Sequence, residues 1–133
     1  MARDQPTLDI IVGWMDAAKG PFAAQIRAVF SEARRLAAHP KWRGCGFLRT
    51  SAELANTPGH PAVKACAAHK KKLEAEFERR IAAEDFPDAA MRARQIMLLF
   101  DGVFSSMLVH RGDPSYAEAA GQAAAALVRK TRR

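Results

Sequence analysis

The stretch Ile96-Met97-Leu98-Leu99-Phe100-Asp101-Gly102-Val103-Phe104 lies within a pattern that runs from about Asp88 to His110. On a helical wheel Ile96, Phe100, Val103, Phe104 and Met107 fall in one broad apolar stripe. Met91, Leu98, Gly102 and Val109 form a second patch on the opposite side. A helix that is apolar on two sides needs two apolar neighbours. The spacing therefore predicts an all-α fold, a helical bundle in which this helix is packed from both flanks.

Working outward, Arg111-Gly112-Asp113-Pro114 supplies a stop glycine and a restart proline. The final helix is expected from about Ser115 to Lys130. Its face is small: Ala117, Ala120, Gly121, Ala124 and Ala125 accompany a polar line of Glu118, Gln122 and Arg129. Side chains of that size let another helix backbone come close. Upstream, Phe86-Pro87-Asp88 breaks the chain after a long helix over residues 61–84. Ala62, Cys66, Leu73, Phe77 and Ile81 make its apolar arc, with His69 and Lys70 at the two edges, and Pro61 suits its first position. Two earlier helices are expected, Leu8 to about Ala18 and Phe22 to about His39, separated by Gly20-Pro21. Between Pro40 and the turn at residues 57–61, Lys41 to Phe47 reads as a bend into a short helix ending near Asn56.

Composition agrees with this reading. Of 133 residues 28 are alanine and one is tyrosine, which favours helices and disfavours strands. The length suits one domain. No apolar run reaches the roughly 18 residues of a membrane span, and no signal-peptide core follows Met1. Cys45 and Cys66 lack a C-x-x-C spacing, which argues against a zinc knuckle or redox pair and fits the cytoplasm. The net charge of +7 is divided evenly, +3 over residues 1–63 and +4 over residues 64–133. The charge hints at an acidic partner. Yet the basic positions are scattered and the aromatics fall on apolar stripes, so sequence readout of nucleic acid by this chain is not expected.

Candidate chemistry is sparse. None of the four histidines has a second ligand at metal spacing, and Ser51, Ser105 and Ser106 have no His–Asp partnership. Helical ion pairing such as Glu76 to Arg80 accounts for the carboxylates at 74, 76 and 78. No enzyme activity, metal or cofactor is expected. Phe30, Trp42, Phe47, Phe77, Met97, Phe100 and Phe104 are large side chains facing small ones, a pattern that gives either a solid core or a cavity between helices.

The order Arg43-Gly44-Cys45-Gly46-Phe47, Ala52-Glu53-Leu54, His60-Pro61, His69-Lys70 and Leu99-Phe100-Asp101-Gly102 resembles the C-terminal regulatory domain of TetR-family repressors across residues 22–130. The resemblance implies that residues 1–20 are the tail of a connecting helix and residues 21–133 a ligand-binding and dimerisation domain. The family's DNA-reading helix-turn-helix head would precede this chain, and DNA would be met only through it. The resemblance also implies a small apolar or aromatic effector held near Phe30, Phe47, Ser51, His69, Phe77, Met97, Phe100 and Phe104. It further implies a homodimer in which the last two helices of each chain form a four-helix bundle. For that interface the wheel offers Met91, Leu98, Gly102 and Val109, together with Ala117, Gly121, Ala124 and Val128. Two rivals remain: a headless accessory protein that pairs with a full-length regulator, and a small helical haem or metal protein using His69 or His39.

Overall fold

The computed structural model describes residues 4–42 and 53–130. Over these residues the protein is all-helical, with no strand. Five helices follow one another: α1 (Asp4–Ala18), α2 (Phe22–Ala37), α3 (Pro61–Ala83), α4 (Ala89–Val109) and α5 (Ser115–Leu127). Of the expected bend from Lys41 to Phe47 and short helix ending near Asn56, residues 43–52 lie outside the described residues. Helix α1 begins four residues before the expected Leu8. Pro6 does not prevent this, because the first turn of a helix has no intrahelical acceptor for its N–H groups.

Local chemistry fixes the ends. Lys19 and Gly20 both take positive φ, 57° and 75°, and turn the chain out of α1. Helix α3 starts at Pro61, and His60 caps it by accepting from the Ala62 N–H at Nδ1, 3.0 Å away. Helix α2 has no side-chain cap of its own. Its first N–H, on Phe22, instead donates to Glu84 Oε2 at 2.6 Å, from just beyond the end of α3.

Helix α2 packs on α1, α4 and α5, while α3 lies against α4 and α1. Its stripe Phe22, Ile26, Val29, Phe30 and Ala33 is buried as the helical spacing predicts, whereas Leu36 is 52% exposed and Ala37 is buried in its place. Phe22 meets Phe77 of α3 with ring centroids 6.0 Å apart. Burial of each large apolar side chain of this kind stabilises the fold by about 1.5–3 kcal/mol. Polar ties complete the assembly. Arg80 on α3, 14% exposed, reaches Asp16 of α1 and Gln25 of α2, each at 2.9 Å. Glu76, which spacing alone paired with Arg80, is held chiefly by Arg79 at 2.6 Å, and Arg80 approaches it only to 3.5 Å.

Candidate functional site

The large aromatics share one core and make two sets of ring contacts within it. Phe30 and Phe100 meet edge to face with centroids 5.7 Å apart, Phe100 and Phe104 do so at 5.0 Å, and Trp42 joins Phe104 at 6.1 Å. A continuous aromatic run therefore extends from α2 across α4 to the chain after α2. Met97 is buried in the same core. Phe77 is buried in that core too, with Phe22 as its ring partner. His69, 3% exposed, is the one buried polar residue among those described. Phe47 and Ser51, also expected at an effector site, lie outside the described residues, as does Cys45.

The other histidines do local structural work. His39 Nδ1 accepts from the Lys41 N–H at 3.1 Å, and His60 caps α3. His110 stacks on Tyr116 at 4.6 Å with the rings 7° from parallel, bracing the α4–α5 turn. The cap and the stack were missed by sequence reading, although a histidine directly before Pro61 was a usable signal for the first. Among the described residues no group of three or more His, Cys, Asp or Glu side chains gathers as a metal site.

The eight residues expected at a dimer interface separate cleanly. Met91 (59% exposed), Leu98 (68%) and Val109 (72%) stand in solvent on α4, and Gly102 is exposed between them. Ala117, Gly121, Ala124 and Val128 do not: all four are buried inside this chain. A Cβ placed on Gly121 would lie 3.2 Å from the Phe30 Cβ, so α5 turns its small face onto α2 of the same chain. That corrects the expectation for these four residues. Small side chains record a close helix approach, and here the approaching helix is the chain's own.

The outward face of α5 carries Tyr116, Ala119 and Ala123 instead. A groove of about 290 Å³ runs between this face and α4, bordered by Leu98, Leu99 and Gly102 on one side and Tyr116, Ala119 and Ala120 on the other. On α4 the exposed positions Met91, Gln95, Leu98, Gly102, Ser105 and Val109 follow each other at intervals of four and three residues. They form a single straight seam.

Compared with models of known protein families, with curated proteins and with solved structures, the chain matches none. Among the described residues no helix is long and apolar enough to cross a membrane.

Proposed function

We propose that this chain is an effector-binding and dimerising regulatory domain of the TetR type, working in the cytoplasm. The observation that carries the reading is the exposed apolar seam of α4 beside the small outer face of α5. Met91, Leu98 and Val109 are large apolar side chains left in water along one line, and a seam of this kind marks an interaction surface. Two such α4–α5 pairs, related by a twofold axis, would bury their seams against each other as a four-helix bundle. Gly102 and Ala119 would let the backbones approach, with Leu98 seated near the centre.

The aromatic run Phe30–Phe100–Phe104–Trp42 supports an apolar or aromatic effector between the middle helices, with buried His69 as a candidate polar anchor. An effector that favours one arrangement of these helices would shift the relation of two paired chains by population. DNA contact, on this reading, belongs to a head that precedes the domain.

Sedimentation or light scattering tests the interface. The wild-type chain is expected to be a dimer at tens of micromolar, and Leu98→Glu a monomer with an unchanged helical circular-dichroism spectrum, because Leu98 takes no part in the core. A monomeric wild type, or a Leu98→Glu variant that remains dimeric, overturns the reading.

A further inference from the structure

On the opposite flank of α5 a second groove, of about 300 Å³, separates it from α2. Its volume is at the lower end of small-molecule sites. Phe30, Ala117 and Gly121 are buried beneath it and give an apolar floor. Arg27, Ser31 and Arg34 border it from α2. Their spacing of four and three residues puts all three on one face of the helix, over about 10.5 Å. Glu118 and Gln122 border it from α5.

The charges in this groove are unequal. Arg34 and Glu118 satisfy each other at 3.2 Å across one end. Arg27, exposed at the other end, makes no ion pair with any described residue. Two guanidinium groups against one carboxylate leave a single positive charge on the polar rim of a groove whose floor is apolar. An unpaired arginine fork matches a carboxylate in a bidentate way. A doubly charged phosphate is disfavoured, since Glu118 would face its second charge. The apolar floor between two packed helices suits one face of a flat ring, and the polar rim suits a charged substituent on it.

We propose that the α2–α5 groove binds a small aromatic carboxylate. The ring lies over Phe30 and Gly121, and the carboxylate is held by Arg27 with Ser31 and Gln122 as neighbouring donors. The site lies on the other side of α5 from the seam and is complete within one chain. It therefore stands or falls separately from the dimer.

Titration of the full chain with 2-naphthoate and with the neutral 2-naphthamide, followed by backbone amide NMR, tests the proposal. Naphthoate is expected to shift the amides of Ser31, Arg34 and Gln122 saturably and to bind at least about tenfold more tightly than the amide. Arg27→Gln should abolish that preference. Arg35→Gln should keep it, because Arg35 is exposed and paired with Glu32 on its own helix. Gln122→Glu, a change at an exposed position, should weaken naphthoate through charge repulsion and so checks the same site by a second route. Equal binding of the two probes, shifts confined to another region, no saturable shift, or a preference that survives Arg27→Gln would each overturn the proposal.

Discussion

Gly121 marks a close meeting of α5 with α2, with the Phe30 side chain directly across from it. A branched side chain here has nowhere to go without moving that ring, which is itself packed on Phe100. Gly121→Val is expected to lower stability by about 1–3 kcal/mol, the cost of overpacking a close-fitted core. A shifted urea midpoint at unchanged slope would show it. The position thus reports on folding of the single chain and not on a contact between chains. At Asp113 the effect is electrostatic. Its Oδ1 accepts from the Ser115 hydroxyl at 2.6 Å and the Ser115 N–H at 2.9 Å. These hydrogen bonds, the hydroxyl's first, hold the carboxyl below the usual carboxylate range. A depressed folded-state pKa stabilises the fold above the unfolded value, and that contribution disappears as pH falls through the folded value. Ser115→Ala should therefore move the Asp113 titration, followed by carboxyl NMR, back up towards an ordinary aspartate. An unchanged titration would refute the assignment of cause.

At the scale of the element, α2 shows how a helix end can depend on a distant residue. Its own sequence provides Pro21 and no side-chain cap, and Glu84 accepts the Phe22 N–H from 62 positions away. Glu84→Ala is expected to cost about 0.5–2 kcal/mol, the range for losing an N-cap acceptor. Hydrogen exchange at the amides of Phe22 to Ala24 should quicken more than at the centre of the helix. If exchange rises equally throughout α2, Glu84 is supporting packing and not the cap. The helices themselves were legible because their apolar residues recur at a helical period and Gly20, Pro40, Pro61, Pro87 and Gly112 punctuate them. The two sides of α4 were legible for the same reason. The target of the small face of α5 was not legible, since alanine and glycine fit equally under a helix of the same chain or of another.

Over the described residues the protein combines a closed core, an apolar seam on α4 and a polar-rimmed groove between α2 and α5. If the seam is covered by a second copy, folding and association are linked. The melting temperature of the wild type should then rise with protein concentration, by mass action. Leu98→Glu should lose that dependence while keeping the same core. A melting temperature independent of concentration in both would place the seam in water. Of the candidate effector residues, Phe30, Phe77, Phe100 and Phe104 were visible in the sequence as apolar periods and Met97 as a large side chain, and the structure joins all five in one core. Within that core the Phe77 ring pairs with Phe22, because periodicity names a face and not its partner. The sequence by itself determined the all-α class, the approximate span of five helices and the second apolar side of α4. These follow from local propensity and from a period that each helix carries alone. Only the tertiary structure decided that α5 lays its small face on α2, that Arg80 joins three helices and that Arg27 borders a groove with no acidic partner among the described residues. Each of those depends on which elements come together, a matter that no local spacing records.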